Sequence, residues 1–211
     1  VADGMGGHEC GEVASQLCMH YLLREWHGRR EAQFHSREAI YDFLSQALSR
    51  ANRHICHVNK VLRIRFPMGT TATVAVHWQD KLIIGHVGDS RCYRLRRNRL
   101  RQLTSDHNWQ SEMIRQGMFT RNDAAVHPLS NMLTNCVGAV PNLRVDFVVS
   151  TTMPGDRFLI CSDGVTSMIT DQEVQDILAV SSEAADAVKR LIHQALRNGG
   201  LDNITAICLF Q

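Results

Sequence analysis

The 211 residues include 23 Lys and Arg against 21 Asp and Glu, and 44% are hydrophobic, so one domain with one sizeable core is the default expectation. A net charge of +2, with no run of five like charges, excludes the strong field that gathers nucleic acid, and no stretch approaches the roughly 18 apolar residues of a membrane span. The chain opens Val1-Ala2-Asp3-Gly4, with no initiating Met and no basic segment leading into an apolar one, which reads as an N-terminally incomplete domain without a secretion signal.

Two amphipathic helices come first. Val13, Leu17 and Tyr21 recur at helical spacing, and Ile40, Phe43, Leu44, Ala47, Leu48, Ala51 and Ile55 form one stripe. At Gly69 the period changes to two. Ala72, Val74, Val76 and Trp78 alternate with polar or small residues, Leu82 to Val87 follows after Gln79-Asp80, and Arg91 to Arg96 alternates again before turning at Asn98. This predicts an antiparallel meander. Residues 104–142 show weaker periodicity, a helical segment from Trp109 to Gln116, and breakers at Gly117, His127-Pro128 and Pro141, so they read as an irregular insertion. Val145 to Val149 and Phe158 to Ser162 flank Met153-Pro154-Gly155-Asp156, which suits a type II turn and predicts a second hairpin. Thr170 with Glu173 forms a capping box that opens a helix. Ala184 to Leu196 follows as another helix, and Ile204 to Phe210 as a last strand. Helices, then strands, then helices and a strand is an α+β order.

The seven cysteines, Cys10, Cys18, Cys56, Cys92, Cys136, Cys161 and Cys208, are odd in number and form no C-x-x-C pair. Most lie among apolar neighbours, as reduced buried thiols do, which points to the cytoplasm. His54 and His57 share a helical face with no third ligand near and read as surface or structural residues. Chemistry gathers at element ends: Asp3-Gly4, Gly88-Asp89-Ser90, Ser162-Asp163-Gly164 and Leu201-Asp202-Asn203 each place an Asp at a strand end or turn. Each alone reads equally as turn chemistry. Converged carboxylates would instead suit a hard divalent cation such as Mg²⁺ or Mn²⁺.

In this order the segments V-A-D-G-M-G-G-H-E-C-G, G-T-T-A-T-V-A-V, G-H-V-G-D-S-R, L-T-S-D-H-N, L-T-N-C-V-G-A, L-I-C-S-D-G-V-T and L-D-N-I-T-A-I-C resemble the metal-dependent serine/threonine protein phosphatases of the PP2C (PPM) family, in its short bacterial form. The resemblance spans nearly the whole chain, 1–211 as a single domain with a flap-like insertion around 104–142. It implies a four-layer αββα sandwich of two antiparallel sheets flanked by helices, with a binuclear Mn²⁺ or Mg²⁺ site at one end. It further implies that Asp3 bridges two ions, that the Gly4 carbonyl is a ligand of one of them, that Asp163 and Asp202 bind the other, and that Asp89 helps Asp163 hold a third. Thr70 and Thr71 read as sheet residues, and Arg91 as a structural partner rather than a phosphate clamp.

The reaction so implied is hydrolysis of phosphoserine or phosphothreonine in proteins by a metal-activated water, without a covalent intermediate. A general acid should protonate the leaving oxygen. Animal-type members carry a His two residues after the bridging Asp, whereas here that position is Met5, which leaves His8 as the candidate or else as a helix-start residue. The family's phosphate-binding Arg and its supporting Asn-Glu-Asp segment have no counterpart before Asp3. The partners expected are phosphoproteins of a serine/threonine kinase, with no nucleic acid or membrane, for a cytoplasmic monomer. The competing readings are a non-catalytic phosphatase-like binding or regulatory module and a thiolate phosphatase using Cys161. The latter lacks the Arg needed six residues on, because position 167 is Ser.

Overall fold

The computed structural model describes residues 1–5, 10–28 and 34–211. Helix α1 (Gly11–His27) and helix α2 (Arg37–Val61) pack on each other, and Ser36 caps α2 by accepting from the Ala39 N–H. The stripe from Ile40 to Ile55 is buried, as its spacing predicts. It lies against a three-stranded sheet of β3 (Ala72–Trp78), β4 (Lys81–Val87) and β7 (Asp146–Thr151), in the order β3-β4-β7. A second, four-stranded sheet runs β6-β5-β8-β9, from β5 (Arg91–Arg96), β6 (Arg99–Gln102), β8 (Arg157–Cys161) and β9 (Ala206–Phe210).

All pairings are antiparallel, and three apolar clusters fill the gaps between layers. One joins α1 and α2 to the first sheet. A second, including Leu82, Ile84, Cys92, Phe158 and Ile160, lies between the sheets. The third joins the second sheet to α5 (Asp163–Thr166), α6 (Asp171–Val180) and α7 (Ala184–Arg197). This is the four-layer αββα order. The capping box is present at α6: the Thr170 hydroxyl accepts from Glu173 N–H, and the Glu173 carboxylate accepts from Thr170 N–H at 2.9 Å.

Two pairings differ from the sequence reading. β4 and β5 do not continue one meander, because the Gly88-Asp89-Ser90 turn carries the chain from the first sheet to the second. Likewise β7 and β8 are not a hairpin. The turn at Met153-Pro154-Gly155-Asp156 has the expected form, with Gly155 at φ +85° and Asp156 N–H bonded to Met153 C=O at 3.0 Å, yet it crosses between sheets. Alternation tells which face of a strand is buried, not which strand lies beside it.

A short strand β1 (Gly4–Met5) pairs with β2 (Gly69–Thr70), and the backbones of Val1 and Thr73 exchange two further bonds of 2.9 Å. Residues 1–5 thus run antiparallel to the entry into β3. Between the β3 and β9 edges and α1 lies an apolar cleft of ≈ 610 Å³, bordered by Trp26, Val74, Val76, Ile207 and Leu209.

The segment 104–142 is not irregular throughout. Asp106, His107, Asn108, Asn135 and Val137 are buried, and the part between them carries α3 (Trp109–Arg115) and α4 (Arg121–Ala125), held by Trp109 stacked on His127 at 4.1 Å. Leu44, fully buried at the α2 contact with Gly85, carries much of the first interlayer packing. Leu44→Ala should lower the unfolding free energy by about 2–5 kcal/mol, read from urea denaturation, and a loss under about 1 kcal/mol would show that this contact is not tightly packed.

Candidate metal centre

Four carboxylates arrive at one end of the sandwich from four separate segments. Asp3 precedes β1, Asp89 lies in the turn between β4 and β5, Asp163 opens α5 after β8, and Asp202 lies in the loop before β9. Each is fixed by backbone contacts. Asp3 N–H donates to the Thr71 hydroxyl at 3.0 Å, while the Asp3 carbonyl accepts from Thr71 N–H at 2.8 Å and from the Thr70 hydroxyl at 2.9 Å. The two threonines are sheet residues, as expected, but they also clamp this carboxylate's backbone. Thr71 Oγ1 lies 2.7 Å from Ser90 Oγ, so the same hydroxyl ties Asp3 to the turn that bears Asp89.

That turn needs glycine. Gly88 has φ +101°, and a Cβ there would stand 2.6 Å from Thr71 Cβ. Gly164 matters for closeness: a Cβ would lie 2.3 Å from the Asn203 carbonyl oxygen, so its absence lets the Asp202-Asn203 loop lie on the start of α5. Ser162 locks this contact. Its hydroxyl donates to Asn203 C=O at 2.8 Å and accepts from Thr205 N–H at 3.0 Å. Gly4 sits on β1 with its carbonyl oxygen against the Gly11 backbone. His8, the candidate general acid, lies outside the described residues.

A buried hydrogen-bond network backs the Asp89 turn. His107 N–H donates to Gly88 C=O at 2.8 Å, and Gly88 N–H returns a bond to His107 Nδ1 at 3.1 Å. Asn135 Nδ2 also donates to that ring nitrogen at 3.0 Å, so Nδ1 is the acceptor and Nε2 carries the proton that meets Asp146 Oδ2 at 3.1 Å. His86, beside it, lies 3.0 Å from Thr73 Oγ1. Burial, then the neighbouring His107, pushes its pKa down to about 4, so both rings are neutral at pH 7.

Arg91 does not face an open phosphate position. Its guanidinium grips Asp106 through Nε at 3.0 Å and Nη2 at 2.8 Å and donates to Tyr93 Oη, and Gln102 supports Asp106 from the other side. Asp106 and His107 lie in the L-T-S-D-H-N segment and Asn135 in L-T-N-C-V-G-A, so the resemblance includes them, but nothing in the sequence tells what they support.

The electrostatics show what the four carboxylates lack. The Asp3 carboxyl titrates far above its ordinary value, first because it is buried, then because Asp163 faces it, with Asp202 and Asp89 adding repulsion. Asp89 is pushed up to about 7, again by burial first and by Asp163 and Asp106 after it. Asp163 Oδ1 is buried without a hydrogen-bond partner. An all-oxygen donor set, mutually repelling and with an orphaned buried oxygen, fits a hard divalent cation. Among the described residues no three His, Cys, Asp or Glu side chains close around one point.

A model of the protein phosphatase 2C family matches residues 1–199. The chain belongs to the protein phosphatase 2C family. It is 35% identical over 207 residues to a Listeria welshimeri protein named serine/threonine phosphatase stp, covering 98% of this chain and 81% of the relative. The Streptococcus agalactiae serine/threonine phosphatase superposes with a TM-score of 0.92 at 32% identity, over 100% of this chain and 86% of that one. The catalytic domain of the phosphatase PstP, solved in complex with two manganese ions, gives a TM-score of 0.82 at 31% identity, over 98% and 84% of the two chains. The phosphatase 2C fold expected from the motifs is therefore the fold found. Cys161 lies wholly buried in β8, with burial pushing its thiol well above the ordinary range, which is the opposite of a phosphatase nucleophile.

The raised Asp3 and Asp89 pKa values have a signed consequence. Both hold protons in the fold at pH values where the unfolded chain has lost them, so without metal their contribution is present below about pH 4 and is lost as pH rises toward 7. Asp3→Asn should therefore be more stable than the parent in chelator at pH 7.5, with the advantage shrinking by pH 5. Urea midpoints of both proteins at the two pH values test this, and the opposing contribution of His86 cancels in the difference. An advantage independent of pH would show that Asp3 is not under repulsion.

Proposed function

We propose that the protein hydrolyses phosphoserine and phosphothreonine in proteins with Mn²⁺ or Mg²⁺ bound at this carboxylate cluster. The observation that carries the reading is the convergence of Asp3, Asp89, Asp163 and Asp202 with Asp163 Oδ1 left unpartnered, in a chain of the phosphatase 2C family. The solved PstP relative holds two manganese ions, which supports a binuclear site here.

In this reading Asp3 would hold two ions, the Gly4 carbonyl would serve one of them, Asp163 and Asp202 would hold the other, and Asp89 with Asp163 would take a third. Such ions supply an activated water and neutralise charge on the phosphoryl oxygens. The chain's own part is positional. Thr70 and Thr71 fix the Asp3 backbone, Ser162 fixes the Asp202 loop, and His107 fixes the Asp89 turn, so the ligand spacing is set before substrate arrives. Asp106 keeps Arg91 folded back on the sheet, which leaves the phosphate to the cations. His8 remains the candidate to protonate the leaving oxygen.

No helix among the described residues is long and apolar enough to cross a membrane. The whole chain reads as one phosphatase domain, with a flap-like insertion around 104–142. The reading includes a cytoplasmic setting, monomeric state, and phosphoprotein partners of a serine/threonine kinase, without nucleic acid or membrane as partners. The names of the relatives support substrates of this class.

Phosphate release from a phosphothreonine peptide should depend on added Mn²⁺ or Mg²⁺ and stop in excess EDTA. Asp163→Asn removes a charge with little change of shape and should cut turnover by at least about a hundredfold while the thermal unfolding curve stays cooperative. Cys161→Ser should keep most of the rate. Full activity of Asp163→Asn would remove the metal assignment, and loss of activity in a folded Cys161→Ser would restore the thiolate reading. A protein that binds phosphopeptide without turning it over, metal-loaded, would be the non-catalytic module.

A further inference from the structure

The 91–101 hairpin holds six arginines: Arg91, Arg94, Arg96, Arg97, Arg99 and Arg101. Arg91 is committed to Asp106 at the metal end. The others lie toward the opposite end, five strand residues or about 17 Å along β5. Register places Arg94 directly opposite Arg101, and Arg96 directly opposite Arg99, so four guanidinium-bearing side chains rise from one face of the two-stranded ribbon. Like charges directly opposite across strands repel, so this arrangement is unfavourable unless something else compensates it.

Among the described residues only one of the four pairs with a carboxylate. Asp156 takes Arg96 through two bonds of 2.7 and 2.6 Å. Arg94 reaches Ser150 Oγ with Nη1, but its Nε is buried and unpartnered, and after burial, repulsion from Arg96 and Arg101 lowers its pKa. Arg97, Arg99 and Arg101 are exposed and make no ion pair among the described residues. Together with Leu100 and Met153 they line a groove of ≈ 890 Å³. In a chain of net charge +2, this groove alone carries four uncompensated positive charges, five arginines less Asp156.

We propose that this groove docks an extended acidic segment of a polypeptide partner, whose carboxylates or phosphates seat between the Arg94–Arg101 and Arg96–Arg99 rungs. Successive rungs lie two residues apart, roughly 6.6–6.8 Å along the strands, which is the spacing of alternate side chains on one face of an extended peptide. Arginine's planar fork suits bidentate capture of such groups. A nucleic acid strand fits less well. The groove offers no aromatic ring on which bases could stack, its two remaining lining residues being Leu100 and Met153. A groove also makes a poor platform for a flat bilayer surface.

The probe is a fluorescein-labelled 12-residue peptide of alternating Glu and Ser, titrated with the full chain and followed by anisotropy, so that binding is read independently of phosphatase activity. The parent should bind with an affinity that falls steeply between 50 and 500 mM NaCl. Arg99→Glu with Arg101→Glu should weaken binding at least tenfold, and Arg99→Lys with Arg101→Lys should retain most of it, which separates charge from any folding defect. Turnover of a short phosphothreonine peptide should be the same in all three. Equal affinity of the parent and the Glu variant, equal binding of a Gln-Ser peptide, or tighter binding of an oligothymidylate of the same charge would each overturn the proposal. Displacement of the peptide by equimolar inorganic phosphate would overturn it too, in favour of a single-anion site.

Discussion

Carboxylates that repel one another cannot gather unless the backbone carrying them is held more firmly than they push apart. Asp3, Asp89, Asp163 and Asp202 meet under that constraint, and the fold answers it with anchors on the backbone that carries them, beside a bond from Asn203 N–H to Asp202 Oδ1 at 2.7 Å. Thr71 Oγ1 touches both the Asp3 amide and Ser90, so the N-terminal segment and the sheet-to-sheet turn share one buried hydroxyl pair. Gly88 exchanges two hydrogen bonds with His107, and Ser162 makes three to the Asn203–Thr205 stretch, two through its hydroxyl and one through its backbone N–H. Asp163 Oδ1 is left without a partner. A cluster satisfied by its own hydrogen bonds would have little to offer a cation.

The same constraint explains why the chain changes sheets where it does. Had β4 and β5 formed a hairpin, Asp89 would project from the tip of a ribbon. By crossing from one sheet to the other, Gly88-Asp89-Ser90 lies at the end of the inter-sheet core, level with the ends of β8 and the entry to β9. Carboxylates from both sheets then share one rim, with apolar packing among Leu82, Ile84, Cys92, Phe158 and Ile160 as a stiff base beneath.

These facts mark the boundary of what the residues alone disclose. Helix α2 is legible because its stripe repeats without a break, and α6 because Thr170 and Glu173 announce its first turn. Strands β3 and β5 are legible from alternation, and β4, β8 and β9 from short apolar runs. Pairing is not, since a half-buried strand looks the same whether its neighbour precedes it, follows it or belongs to another sheet, and so two expected hairpins became crossings. The rim carboxylates stand out because Asp at four element ends, three of them beside Gly, is an uncommon repetition. Their supports lie in segments that share the family resemblance, but their spacing does not tell what they support. Asn135 reaches His107 across 28 residues of weakly patterned chain, and a neutral buried His has no signature that separates it from an exposed one.

Near-neutral net charge concealed a further feature, the separation of charge along the sandwich. β5 begins at Arg91 beside the carboxylate rim and ends at Arg96 within the arginine ladder, so one strand joins an acidic end to a basic one. The two ends treat arginine differently. At the rim, Asp106 pairs with Arg91 and holds it to the sheet. At the far end, one acid, Asp156, serves a face of four arginines, and its place is structural: it also accepts from Met153 N–H and so closes the turn that returns the chain to the second sheet. The ladder's remaining positive charge is therefore not balanced by folding, and the salt-screened repulsion between its rungs is tolerable because Arg97, Arg99 and Arg101 reach into water.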